Sequence, residues 1–201
     1  LKLNPVDSEA VNNMGICLQR KGDTKAAVET YQMAIEINPF FAEAYNNLGA
    51  SLESRGDFQQ AIKNYKKALK INPNYAEAYN NLGITRKRQG KTNEAICNYK
   101  KALNIDPNYA EAYYNVGTAK YDNGDLKEAI ENYRKAIEIN PEYATACYNL
   151  ANTLYKQGDL NGAIHYYKKA ITIRPKDSII HYNMGTLLME KGDFEAAIKC
   201  Y

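Results

Sequence analysis

Little in this sequence announces chemistry. Its 201 residues contain no G-x-x-x-x-G-K-[ST], no G-x-S-x-G and no H-E-x-x-H, the spacings that build phosphate loops, nucleophile elbows and helical zinc pairs. Only two histidines occur, His165 and His181, and the four cysteines, Cys17, Cys97, Cys147 and Cys200, show no C-x-x-C spacing. A zinc site or a disulfide framework is therefore not expected. No N-x-[ST] sequon is present either, and a reducing compartment, cytoplasmic or nuclear, fits best. No segment approaches the roughly 18 consecutive apolar residues of a membrane span, and no secretory or transit signal is visible. The formal net charge of +3 is too small to imply a nucleic acid or an anionic membrane, which call for a concentrated basic field. The expectation is a protein that is not an enzyme, with no cofactor, no metal, no nucleic-acid partner and no membrane partner.

What is present is a period. The six prolines, Pro5, Pro39, Pro73, Pro107, Pro141 and Pro175, are each separated from the next by 34 residues. Gly22, Gly56, Gly90, Gly124, Gly158 and Gly192 keep the same interval, as do Ala27, Ala61, Ala95, Ala129, Ala163 and Ala197. A fourth series is aromatic: Tyr31, Tyr65, Tyr99, Tyr133, Tyr167 and Tyr201. Periods of this length mark repeat arrays. The units run 8–41, 42–75, 76–109, 110–143 and 144–177, with a partial repeat at 178–201 and the end of a preceding repeat at 1–7. The chain is expected to be a window from a longer array, since neither end carries the polar outer face of a capping repeat.

Within a unit, Tyr45, Leu48, Gly49 and Leu52 are spaced i, i+3, i+4, i+7 and predict one packed helical stripe. Gly56 ends that helix, as a glycine after a periodic run commonly does. Asp57 is expected to cap the second helix, with Asp23, Asp125, Asp159 and Asp193 in the same role. Lys91 interrupts that series, and Thr92 is expected to cap in its place. Ala61, Ile62, Tyr65, Ala68 and Leu69 form the second stripe, which stops at Asn72-Pro73 because proline disfavours helical geometry in the residue before it. Each unit is thus two helices of about fourteen residues, roughly 21 Å long.

These residues resemble the tetratricopeptide repeat, a helix–turn–helix unit of 34 residues. The family's large residue, Leu-Gly pair, alanine, aromatic, alanine and proline fall, in the second repeat, on Tyr45, Leu48, Gly49, Ala61, Tyr65, Ala68 and Pro73. Ala151 replaces the glycine, Arg86 and Lys120 stand where a large apolar residue is usual, and Val11, Cys147 and His181 replace the first large aromatic. The resemblance covers the whole chain. It implies an all-α fold, a right-handed α-solenoid superhelix whose first helices line a concave groove. It also implies a protein–protein interaction scaffold that takes a protein or peptide ligand in that groove. The carboxylate-clamp type of chaperone adaptors needs basic residues in the groove, and the fifth position of each unit here offers only asparagine and tyrosine. The repeated N-[LMV]-G is more similar to the arrays of O-linked N-acetylglucosamine transferases and their Spindly relatives. That likeness implies an alternative, the substrate-recruiting arm of a larger glycosyltransferase whose catalytic domain lies outside this chain.

Packing accounts for the tyrosine, leucine and glycine of YNNLG at 45–49 but not for its asparagines. Asn13, Asn47, Asn81, Asn115, Asn149 and Asn183 hold the sixth position of all six units. They lie about 200° around the helix from the packed stripe and are expected to face away from the core. Stacked units would align six carboxamides, each with two donors and an acceptor suited to a peptide backbone. Under the competing reading each asparagine bonds to a neighbouring helix and sets repeat-to-repeat geometry. The fifth position changes from Asn12, Asn46 and Asn80 to Tyr114, Tyr148 and Tyr182. The groove is therefore expected to pass from amide-lined to aromatic-lined, with Asn46, Asn80 and these tyrosines among the peptide contacts.

The remaining features have plain explanations. Glu9, Glu43, Glu77 and Glu111 sit in first turns, where a carboxylate complements the positive helix end. The pairs Lys66-Lys67, Lys100-Lys101, Arg134-Lys135 and Lys168-Lys169 are expected on a solvated outer face. His181 and Cys147 stand at packing positions, and Cys17 is expected to be inert packing. A further expectation is a homo-oligomer formed through uncapped end repeats.

Overall fold

The computed structural model describes residues 7–201. The opening LKLNP lies outside the described residues. Within them every regular element is a helix: α1 Ser8–Arg20, α2 Thr24–Ile37, α3 Ala42–Ser54, α4 Phe58–Ile71, α5 Ala76–Arg88, α6 Thr92–Ile105, α7 Ala110–Asp122, α8 Leu126–Ile139, α9 Ala144–Gln157, α10 Leu160–Ile173, α11 Ser178–Glu190 and α12 Phe194–Cys200. The fold is an all-α solenoid of helical hairpins. The chain divides into two compact units, one ending at Pro107 and the other running from Asn108 to Tyr201, and each holds three hairpins.

In the first unit the turn between α3 and α4 shows how each hairpin closes. Gly56 adopts φ 85°, its N–H donates to Glu53 O at 2.9 Å, and the Asp57 N–H donates to Leu52 O at 2.9 Å. This is a Schellman closure, which satisfies the last carbonyls of the helix and needs a left-handed residue at its pivot. A Cβ on Gly56 would meet nothing within 4 Å, so Gly56→Ala isolates the cost of the dihedral. The expected loss is about 1–2 kcal/mol, checked by urea unfolding. A loss near zero would mean that the turn rearranges.

Helix starts are less uniform than the aspartate series suggests. Asp23, Asp125, Asp159 and Asp193 accept from the backbone N–H three residues on. Asp57 is the N-cap of α4 but makes no side-chain cap bond, and its carboxylate instead pairs with Arg55 at 3.6 Å. The residue capping α6 is Lys91, again without a side-chain bond, and Thr92 is already helical. The Asn72 backbone is extended, as the following proline requires.

Small residues let the helices approach closely. Ala27, Ala61 and Ala95 are fully buried, as are Tyr31, Tyr65 and Tyr99. A Cβ on Gly49 would fall 2.6 Å from Cε1 of Tyr65, a distance no alanine tolerates without displacing the ring. In the second unit Gly117 faces Tyr133 in the same way. Ala151 stands at the equivalent place one repeat later, fully buried, and Tyr167 remains buried beside it.

Two repeats lack the leucine of the eleventh position, and both replace its contact with an ion pair. In the first unit Arg86 Nε lies 3.1 Å from Glu94. In the second, Lys120 Nζ lies 2.9 Å from Glu128 and 3.5 Å from Asp125. Each basic side chain is largely covered, so its stem still fills part of the leucine's space while its charge reaches the second helix. Hydrogen bonding to Glu128, opposed by burial and aided by the Glu128 and Asp125 charges, raises the Lys120 pKa above the ordinary lysine value.

Candidate functional site

The odd-numbered helices carry both asparagine positions, and in each unit the structure ties those positions together. In the first unit Asn47 Nδ2 donates to Asn12 Oδ1 at 3.0 Å, and Asn81 Nδ2 donates to Asn46 Oδ1 at 3.0 Å. Asn46 passes the chain on, its own Nδ2 donating to Glu77 Oε1 at 3.0 Å. In the second unit the same geometry recurs with a different acceptor. Asn149 Nδ2 donates to the Tyr114 hydroxyl at 3.1 Å, and Asn183 Nδ2 donates to the Tyr148 hydroxyl at 2.7 Å. All four cross-repeat bonds span 35 residues, one period plus one. A sixth-position amide therefore reaches the fifth-position side chain of the repeat before it.

Burial separates the two positions. Asn46 and Asn80, expected to line an open wall, are 1% and 0% exposed, and Asn12 is buried as well. For Asn12 and Asn46 the physical reason is the close packing of neighbouring odd helices within the first unit: these side chains point into the seams where Asn47 and Asn81 reach them. Asn13 is exposed, while Asn47, Asn81, Asn115, Asn149 and Asn183 are half-buried. The tyrosines that replace asparagine at the fifth position are too long for the seam. Tyr114 and Tyr148 are half-buried, and Tyr182 is 61% exposed.

A second polar group on α3 had no counterpart in the reading of the sequence. Glu53 is 8% exposed, accepts from the Tyr65 hydroxyl at 3.1 Å and pairs with Arg88 Nε at 3.3 Å. The Arg88 contact lacks hydrogen-bond geometry at Oε1, so the tyrosine is the carboxylate's directional partner. Burial first, and the Glu53 charge next, push the Tyr65 phenol well above its ordinary pKa. In the first repeat the neutral Gln19 takes this place, accepting from Tyr31 at 3.0 Å and from Ser51 at 2.9 Å.

The other candidates fall into place. Lys67 and Lys101, exposed on even helices, each lie 5.5 Å from the ring of Tyr45 or Tyr79 in their own repeat. Cys147 is buried, which raises its thiol pKa, whereas Cys17 is exposed rather than packed. The half-buried His181 places Nε2 3.0 Å from Pro175 O. Among the described residues, no group of three or more His, Cys, Asp and Glu could hold a metal ion. No helix among them is long and apolar enough to cross a membrane.

Hairpins of 34 residues whose small residues seat a buried tyrosine define a helical-repeat protein. The chain belongs to the tetratricopeptide repeat family. Models of that repeat match residues 40–108 and 144–177, and further ones match 18–54 with 117–158 and 98–131 with 166–199. Among solved structures, MamA is 35% identical over 76% of this chain and 90% of its own, with a TM-score of 0.70. PilF of Pseudomonas aeruginosa is 22% identical over 96% and 88%, with a TM-score of 0.88. YrrB, described as a TPR protein with an unusual peptide-binding site, is 23% identical over 87% and 90%, with a TM-score of 0.65. No curated protein matches the chain.

Proposed function

We propose that this protein is a non-catalytic interaction scaffold that holds an extended peptide segment of a partner protein along its odd-numbered helices. One observation carries the reading: the sixth-position amides are fixed in rows by their cross-repeat bonds. In the first unit, Asn47 and Asn81 each spend one amide hydrogen on the preceding repeat. A carboxamide has a second hydrogen and an acceptor oxygen, so each fixed amide retains both kinds of partner for a peptide group. Asn13 contributes one more, on the exposed surface. The buried Asn12 and Asn46 support the row from behind, and Asn80 is buried beside them in sequence register. In the second unit the contacts are Asn115, Asn149 and Asn183 with Tyr114, Tyr148 and Tyr182. Holding the donors rigid lowers the ordering cost of binding. The repeated N-[LMV]-G supports a second reading, in which the same face recruits substrate for a glycosyltransferase domain outside this chain. A nucleotide-sugar-binding domain encoded downstream would support that reading.

The test is a peptide array screened with the intact chain, followed by fluorescence anisotropy on the best hits. The variant Asn13→Ala/Asn47→Ala/Asn81→Ala is then compared with the parent, with urea unfolding measured on both. Hits seated on the first unit are expected to weaken by about tenfold or more, the equivalent of one or two lost hydrogen bonds. Unchanged affinities for every hit, in that variant and in Tyr182→Ala, would overturn the reading.

A further inference from the structure

We propose that the odd-helix face of the second unit docks a proline-rich segment in the polyproline II conformation, one three-residue turn per repeat. The inference rests on the extended-peptide reading above and names the ligand class for one part of that face.

Spacing is the first argument. Tyr114, Tyr148 and Tyr182 occur once per repeat on α7, α9 and α11, and the bonds Asn149 to Tyr114 and Asn183 to Tyr148 make these helices direct neighbours. Packed helices lie about 8–10 Å apart. A polyproline II segment repeats every three residues at about 3.1 Å each, so the same edge returns every 9 Å or so. A β-strand returns the same edge only at even residue counts, about 6.7 or 13 Å, and neither matches. At that general spacing the ladder suits three residues per step.

Hydrogen-bond polarity is the second. The oxygens of Tyr114 and Tyr148 already accept an amide hydrogen from the next repeat, which leaves each hydroxyl hydrogen to donate outward. Beside the carboxamides of Asn149 and Asn183, the two hydroxyls add donors to this face, and donors call for a ligand rich in acceptors. Proline offers a carbonyl and no N–H, and polyproline II carbonyls have no internal partner.

Ring placement is the third. Tyr114 packs 5.9 Å from Tyr133, Tyr148 packs 6.1 Å from Tyr167, and Tyr182 packs 6.0 Å from Tyr201. Tyr114 and Tyr148 are thus braced by the buried tyrosines of their own repeats, so they lose little motion on binding, whereas Tyr182 and Tyr201 are both exposed. Aromatic-lined grooves are the usual receptors for proline-rich segments. The first unit has no such row, because its fifth-position residues are buried asparagines.

Two labelled peptides of identical composition test this with the intact chain, one with proline at every third position and one with proline at every fourth. The first is expected to bind about tenfold more tightly, and Tyr182→Ala to weaken it about fivefold, the scale of one aromatic contact. Tyr182 is exposed, so circular dichroism should show an unchanged fold. Equal affinity for the two peptides, or tight binding of the first that ignores Tyr182→Ala, overturns the proposal. If array hits still depend on the asparagine and tyrosine rows, the extended-peptide reading survives that failure. If no hit depends on them, both fall.

Discussion

Replacing Tyr65 by alanine is expected to cost about 3–5 kcal/mol, the range for emptying a buried aromatic site. The ring is fully buried in a cluster with Ala61, Ile62 and Leu82, and Gly49 exists to admit it. Backbone held at that distance cannot collapse far into the hole. Tyr65→Phe separates the ring from the hydroxyl. It keeps the packing but leaves the Glu53 carboxylate, already 8% exposed, with only the misaligned Arg88 contact, and should cost about 1–3 kcal/mol. Tyr31→Phe is the matched control, because Gln19 is neutral and also accepts from Ser51. Urea unfolding of the three variants, with hydrogen exchange on α3 and α4 to locate the loss, reads the series. A Tyr65→Phe effect no larger than that of Tyr31→Phe would show that Arg88 alone satisfies Glu53.

The hairpins, their turns and the buried tyrosines, five of the six in the series, were legible because each rests on a local rule repeated along the chain. Gly56 marks a left-handed pivot, Pro73 ends a helix, and Gly49 and Tyr65 sit at a fixed spacing. Even the departures carry their own compensation. Arg86 and Lys120, the two basic residues at the eleventh position, are the two that have glutamate eight residues later, at Glu94 and Glu128, whereas Leu18, Leu52, Leu154 and Leu188 are followed there by alanine, glutamine, glycine and alanine. That pairing was readable as an ion pair.

The polar face was less legible, for a geometric reason. Helical periodicity assigns a residue to one side of its own helix, but whether that side is open depends on the next helix over. Asn46 and Asn47 are adjacent in sequence, yet one enters the seam with the next repeat and the other reaches back across the seam before it. No period-3.6 pattern distinguishes the two. The signal was the replacement itself: the sixth position is asparagine in all six units, while the fifth accepts both asparagine and tyrosine. A position that takes either a carboxamide oxygen or a phenolic oxygen is serving as an acceptor. The same reasoning missed Glu53, two turns further along α3, whose partners Tyr65 and Arg88 come from other helices. Asp57 makes no side-chain cap bond and pairs with Arg55 instead, and the cap expected at Thr92 falls one residue earlier, on Lys91, which has no acceptor to offer.

This reversal sets the second large expectation, that Asn46→Ala costs more than Asn47→Ala. Asn46 is 1% exposed and sits mid-chain, accepting from Asn81 and donating to Glu77. Alanine there leaves a cavity and strips the Asn81 amide of its acceptor, for an expected loss of about 1–3 kcal/mol. Glu77 is exposed and can turn to water, so its share is small. Asn47 is half-buried and loses one bond, to Asn12. That loss of about 1 kcal/mol is partly offset by alanine's better helix propensity, worth up to about 0.7 kcal/mol. Because Asn46 and Asn81 share a bond, their double variant should cost less than the sum of the singles, and Asn47 with Asn12, bonded likewise, should behave the same way. A cycle in urea unfolding reads both. If Asn47→Ala proves the costlier change, the open row is a structural seam and the peptide contacts belong elsewhere on the odd helices. If the order is as expected, the protein spends its buried asparagines on repeat geometry and keeps the exposed side of the same rows for a ligand.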